Sequence, residues 1–152
     1  MRLVNAVDSH FSEIVGWVKN AEELLHWAGP SVRFPLSVSH LRHDLTSSNW
    51  PSFVLLGSGG ELLAYGQYYL RERRGHLCRL IVSPQYRGRG VVINLVQSIS
   101  KEATNELGVD SYSLFVYRDN LSAIGAYQKM GFVVQSNAGD QPIDDCLFMV
   151  RD

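Results

Sequence analysis

The chain has almost no charge imbalance: 14 Lys and Arg stand against 15 Asp and Glu, for a net charge of −1 and a pI near 6.5. It therefore presents no global field that would hold nucleic acid, and no nucleic-acid partner is expected. Cysteine is scarce too. Cys78 and Cys146 lie far apart, with no metal-ligand spacing around them, so no metal is expected and a reduced, cytoplasmic setting is the default. No apolar run approaches membrane-spanning length, and the start MRLVNAVDSHF lacks a basic region followed by an apolar one; neither secretion nor a membrane partner is expected. Internal repeats and low-complexity segments are missing as well. What remains is 152 residues, 45% hydrophobic, the size of one domain (1–152) with one core.

Leu3 to Val7 reads as a short strand, and Asp8 or Ser9 as the cap of a helix with Phe11, Ile14, Val15 and Val18 on one face. Asn20 with Glu23 resembles a capping box, opening a helix that reaches Ala28 and stops at Gly29-Pro30. After a loop over 31–36, Ser37 caps a helix with Val38, Leu41 and Leu45 inward. Trp27, Phe34 and Trp50 cluster at these breaks, where aromatic side chains serve as core rim or build an acceptor pocket.

From Ser52 the pattern is that of strands: Phe53 to Leu56, a glycine-rich turn, then Glu61 to Leu70 form a hairpin, with Gly66 marking a bulge or a close approach. The cluster Arg71, Arg73 and Arg74 reads as a solvated turn, or else as a contact for the negative end of a ligand. Leu77 to Val82 is a buried strand, ended by Ser83-Pro84. A long helix follows with Val92, Leu95, Val96, Ile99, Ala103 and Leu107 on one face, capped by Gly108, and then a strand over Ser111 to Tyr117. A strand, helix, strand unit of this kind makes its two strands parallel, so the sheet is mixed. Asn120 opens a helix with Ala123, Ile124 and Tyr127 inward, closed by Gly131, and Phe132 packs back on it. Phe132 to Gln135 and Cys146 to Val150 close the sheet around a polar loop, Ser136 to Asp145.

The informative stretch is Gln85-Tyr86-Arg87-Gly88-Arg89-Gly90, which joins a strand to a helix start. Several backbone N–H groups point out of the chain at such a junction, where the positive end of the helix dipole adds to them, and the combination binds phosphate. A Rossmann fingerprint is excluded by the missing third glycine and the mixed sheet. A P-loop is excluded because no Gly-Lys-Ser or Gly-Lys-Thr follows.

Two segments read together carry more. Gln85-x-x-Gly88-x-Gly90, followed by Asn120, Ala123, Tyr127, Gly131 and Phe132 in register, resembles the GCN5-related N-acetyltransferase (GNAT) superfamily. The resemblance implies an α/β (α+β) fold with a mixed central sheet of about six to seven strands, flanking helices and a β-α-β core that binds acetyl-coenzyme A as co-substrate. It implies that Gln85 and the N–H groups of about Arg87, Gly88, Arg89, Gly90, Val91 and Val92 hold the pyrophosphate. It also implies that the backbone of Leu80, Ile81 and Val82 pairs with the pantetheine arm, with Asn120 contacting that arm. Many family members carry Gly or Ala where this chain has Val92, which here fills core or crowds the pyrophosphate. Family members often form homodimers.

Acyl transfer to an amine needs a neutral nitrogen and a proton for the departing thiolate. By resemblance, Tyr127 is the acid. The base position near the start of the strand falls at His76, with Glu61, Tyr68 or ordered water as alternatives. Strand alternation places His76, Cys78 and Leu80 on one face. Cys78 is not read as a nucleophile, because nothing near it forms a Cys-His-Asp or Cys-His-Asn set. The activity implied is transfer of acetyl from acetyl-coenzyme A to a primary amine of a small molecule. The alternatives are acetylation of a protein or peptide N-terminus or lysine, and a non-catalytic acyl-coenzyme A binding module.

Overall fold

The computed structural model describes residues 1–29, 32–34, 37–136 and 145–152. Strand β1 (Arg2–Asn5) leads into helix α1 (Asp8–Ile14), which tightens into a 3-10 turn at Val15–Trp17. The cap of α1 is Val7, one residue ahead of Asp8 and Ser9: His10 Nδ1 accepts the Val7 N–H at 3.0 Å, and Asp8 stands in the first turn, where the dipole favours a carboxylate. Helix α2 (Ala21–Ala28) opens as expected, with Asn20 Oδ1 accepting from Glu23 N at 2.8 Å. The Glu23 carboxylate reaches back to Lys19 N at 2.8 Å, one residue beyond the usual box. Helix α3 (Val38–Thr46) is capped by Ser37 and buries Leu41 and Leu45, while Val38, at its first position, stays 38% exposed rather than inward. Half of the expected loop over 31–36 and most of that over 136–145 lie outside the described residues.

Strands β2 (Ser52–Leu56), β3 (Leu62–Arg71) and β4 (Arg74–Val82) form an antiparallel meander, joined to helix α4 (Val91–Leu107) through a 3-10 turn at Pro84–Tyr86. Strand β5 (Tyr112–Tyr117), helix α5 (Leu121–Lys129), β6 (Val133–Val134) and β7 (Cys146–Arg151) complete the chain. The turn between β3 and β4 is Glu72 and Arg73 alone, shorter than the sequence suggests. Glu72 and Arg73 both take left-handed backbone (φ 49° and 67°), the conformation of a two-residue hairpin turn that usually needs Asn-Gly.

The seven strands run in the order β1-β2-β3-β4-β5-β7-β6, and only β4 and β5 are parallel. The sheet divides the core into two layers. On one side α4 and α5 cover Phe53, Tyr68, Leu77, Leu114 and Met149, with Leu95, Val96 and Ile99 of α4 fully buried. On the other, α1 to α3 cover Val54, Leu62, Tyr65 and Ile81, with Phe11, Ile14 and Leu41 from the helices. Among the described residues no helix is long and apolar enough to cross a membrane.

Candidate active site

The site is built on a defect in sheet pairing. Strands β4 and β5 pair only at Gly75, His76 and Leu77 with Tyr112, Ser113 and Leu114. Beyond that point they diverge, leaving the β5-facing edge of β4 from Cys78 onward without a strand partner. Such an edge offers backbone donors and acceptors to an extended ligand.

A bulge sets what this edge presents. In the pairing of β3 with β4, Tyr65 faces Ile81 and Gln67 faces Cys78, so Gly66 alone opposes Arg79 and Leu80. Arg79 takes φ 52°, and the extra residue reverses the alternation: Leu77, Leu80 and Val82 pack on the α4 side, whereas Ile81 packs with α1 to α3. The expected common face for His76, Cys78 and Leu80 is thus corrected. Gly66 is required by close approach, since a Cβ there would lie 2.5 Å from Ile99 Cδ1 and 2.8 Å from Leu80 Cδ2. The bulge is held from two sides. Trp27 Nε1 donates to the Arg79 carbonyl at 2.8 Å, and buried Gln67 accepts from Arg79 Nη1 at 3.0 Å while its own Nε2 donates to the Leu45 carbonyl at 2.8 Å.

At the end of β4 the glycine loop turns into α4. Gly88 and Gly90 have φ of 77° and 75°, and a Cβ at either would meet open space. Glycine is therefore wanted for backbone conformation, and its bareness leaves the backbone accessible. Gly90 is the N-cap of α4 and supplies no side-chain acceptor, so the first N–H groups of the helix face outward at its positive end. Arg87 Nε donates to the Val82 carbonyl at 3.1 Å, tying the loop to the strand.

A cavity of about 770 Å³ runs along this edge, lined by Leu80, Ile81, Val82, Arg87, Gly88, Gly90, Val91 and Val92 on one wall and by Asn120 to Ala123 and Tyr127 on another. A smaller hollow of about 70 Å³ continues it into the gap between β4 and β5. Val92 lines the cavity and also packs against the α4 core. Gln85 and Arg89 are exposed loop residues outside the cavity wall; the Arg89 guanidinium lies 5.8 Å from the Tyr86 ring centroid. Asn120 Oδ1 accepts from Ala123 N at 3.3 Å as the cap of α5 while facing both cavities.

Tyr127 is brought to the point where the two cavities meet. Its ring packs edge-on against Phe132, and burial pushes its phenol up to about 12. Among the described residues its hydroxyl has no hydrogen-bond partner. His76 is placed elsewhere. It is 2% exposed, lines neither cavity, and shares Nδ1 with Ser113 Oγ at 2.8 Å between the rings of Tyr69 and Phe115. Burial, with the Arg71 guanidinium nearby, pushes its imidazole down to about 3. The base expected at this strand start is instead a neutral ring in the core, because His76 falls within the paired part of β4. Of the weaker alternatives, Tyr68 is buried on the α4 side and Glu61 sits at the hairpin turn, both outside the cavity walls. Cys78 lies at the smaller hollow with burial holding its thiol well above the usual range, so it is no thiolate nucleophile.

Of the wall supplied by α2 and the turn before it, sequence reasoning reached only Trp27: Trp17, Glu23 and His26 line the main cavity with it, and the His26 ring rests 4.5 Å from the Tyr117 ring. The available signal was Trp27, already singled out, since one helical turn carries Glu23 and His26 with it.

The fold and the cleft define an α/β protein with a cavity at the point where two parallel strands splay apart. The profile of the Acetyltransferase (GNAT) family matches residues 20–132, and the chain belongs to that family. The L-amino acid N-acetyltransferase AaaT of Escherichia coli is 34% identical over 67 residues, 43% of this chain and 41% of that protein. The N-terminal acetyltransferase B complex catalytic subunit NAA20 of Arabidopsis thaliana is 29% identical over 96 residues, 57% of this chain and 53% of that protein. The chain thus spans about half or less of the length of these curated relatives. The crystal structure of spermidine N-acetyltransferase from Vibrio cholerae, in complex with CoA and spermine, superimposes with a TM-score of 0.74 at 18% identity, covering 98% of this chain and 93% of that one. At that identity the likeness shows the shared fold.

Proposed function

We propose that the protein transfers the acetyl group of acetyl-coenzyme A to the primary amine of a small molecule. The observation that carries this reading is the unpaired edge of β4, with the bare Gly88 and Gly90 backbone at one end and an unpartnered phenol, Tyr127, at the other. Those parts fit coenzyme A. The loop and the start of α4 offer N–H groups to a pyrophosphate, the edge from Cys78 to Val82 offers strand-like partners to an amide-bearing arm, and the small hollow beside Tyr127 is of a size for an acetyl group. Bound there, acetyl-coenzyme A supplies an activated acyl carbon and a thiol leaving group. Tyr127 holds the proton that the sulfur needs, and Asn120 holds the start of α5 in place while facing the same cleft.

Support for a small-molecule acceptor comes from relatives named for L-amino acid and spermidine acetylation, and from the two indoles, Trp17 and Trp27, that line the acceptor-side wall beside Glu23. Similarity to NAA20 favours a second reading, acetylation of a protein N-terminus. Incubation with acetyl-coenzyme A and a panel of a polyamine, an aminoglycoside, free L-amino acids and short peptides with free N-termini distinguishes the two by thiol release. Turnover of peptides alone would replace the first reading by the second. Binding of coenzyme A without turnover of any amine would overturn both.

A further inference from the structure

The large cavity and the small hollow share five lining residues: His26, Trp27, Leu80, Asn120 and Tyr127. A group that serves the reaction from the meeting point must come from this set or act from farther away. The Trp27 indole N–H is committed to the Arg79 carbonyl, Asn120 Oδ1 to the cap of α5, and Leu80 has no polar side-chain atom. Only His26 and Tyr127 of the five can exchange protons. Tyr127 is neutral and poised to give one. His26 lines both cavities with it as an imidazole with neither ring nitrogen hydrogen-bonded among the described residues, its ring laid against Tyr117 at 4.5 Å with a 39° tilt.

We propose that His26, rather than His76, takes the proton from the acceptor amine, as the partner of Tyr127 across the cleft. The proposal rests on the acetyltransferase reading above. The balance is complete with these two groups. An acceptor ammonium gives one proton to the His26 imidazole, which passes it to solvent, and the freed nitrogen bonds to the acyl carbon as the carbon–sulfur bond breaks. The departing sulfur takes the Tyr127 proton, and the phenolate removes the second proton from nitrogen. The products are an amide, a thiol and one proton. Imidazole suits the task because its neutral ring carries a nitrogen that accepts a proton. The titratable and charged side chains that line the two cavities with it are Glu23 one turn earlier on α2, Cys78 on β4, Tyr86 and Arg87 after β4, Tyr117 on β5, and Tyr127 and Lys129 on α5; the guanidinium of Arg79 is turned to Gln67 and the Trp50 ring. Among the described residues Glu23 is the only carboxylate lining either cavity, and with Oε2 accepting from Lys19 N its Oε1 is left to draw an ammonium toward His26.

The test is the pH profile of kcat/KM for His26→Gln and for the wild type, with acetyl-coenzyme A and whichever panel amine the wild type acetylates. Glutamine keeps the size and polarity of the side chain but cannot accept the proton. The expected result is a loss of about 10²-fold near pH 7, within the span of general-base effects. The loss narrows as rising pH supplies free amine from solution, and calorimetric affinity for coenzyme A stays within about twofold. A His26→Gln profile that overlays the wild type would overturn the proposal while leaving the acetyltransferase reading intact. So would a loss of constant size across the pH range, which marks a packing defect. A wild type that acetylates no amine would overturn the reading itself, and this assignment with it.

Discussion

Tyr127 and His76 are both buried, and burial acts on them in opposite directions: the phenol goes up to about 12 and the imidazole down to about 3, so each is neutral at pH 7. For Tyr127 neutrality means that, in the acetyltransferase reading proposed above, the proton for the sulfur is in place. A phenol near 12 facing a thiol of ordinary pKa near 8.5 gives up that proton at a cost of about 5 kcal/mol. Desolvation of the thiolate in the same cleft narrows the gap, since burial disfavours that charge as well. Replacing Tyr127 by Phe is expected to lower kcat by about 10²-fold or more while coenzyme A affinity, read by calorimetry, holds; undiminished turnover would remove Tyr127 from the chemistry. For His76 the consequence is stability. Its folded pKa lies below the unfolded value of about 6.5, so the unfolded chain binds the extra proton as pH falls. Stability is fully present above about pH 6.5 and is lost progressively toward pH 3, at up to roughly 1.4 kcal/mol per pH unit. Urea midpoints between pH 7 and pH 4 should therefore fall more steeply for the wild type than for His76→Gln. Parallel slopes would contradict the burial argument.

Strand β4 shows most clearly what a sequence can and cannot say about an element. Its existence, its end at Ser83-Pro84 and the glycine loop after it were legible, because apolar runs, proline and paired glycines act locally. Its internal geometry was not. The left-handed turn at Arg79 depends on Trp27 and Gln67, 52 and 12 residues away, and neither contact leaves a mark in the local pattern. Gly66 was the visible trace, though it signalled a bulge in the neighbouring strand rather than its own. The same gap explains His76: reading it as a base required knowing where β4 leaves β5, which is a tertiary fact. Gly66→Ala tests this account, since its Cβ would press on Ile99 and on Leu80, a cavity residue. We expect a loss of about 1–3 kcal/mol of stability, as for other overpacked cores, together with weaker coenzyme A binding. A variant with wild-type affinity would mean that Leu80 yields without moving the cleft wall. Gly90→Ala should cost roughly 1–2 kcal/mol of stability, what a side chain costs at left-handed backbone, read as a lower urea midpoint; a midpoint equal to the wild type's would show that the loop relaxes.

The molecule is two helical layers on one sheet, and the sheet is incomplete where it matters. The meander β1 to β4 and the β5 to β7 half meet through only three residue pairs, so a ligand in the gap extends the contact between them. Coenzyme A at about one hundred times its dissociation constant should add about 2.7 kcal/mol of stability. In a chain of this length that corresponds to a rise in Tm of about 5–10 °C in a thermal scan. No shift at saturating coenzyme A would argue against the gap as its site. The mixed seven-strand sheet and the family could be read from the chain because strand, loop and helix signals lie in sequence order. The α2 wall could not, since it reaches the cleft only by folding over β4. Arg79, finally, gives β4 something close to a frameshift. Upstream of it one parity of residues faces α4, and downstream the other does. Deleting that single residue would leave a strand of strict alternation with Leu77, Leu80 and Val82 still facing α4 and Ile81 still facing α1 to α3, so what Arg79 adds to the wall of the cleft is one residue of length and a bend, with no change of face.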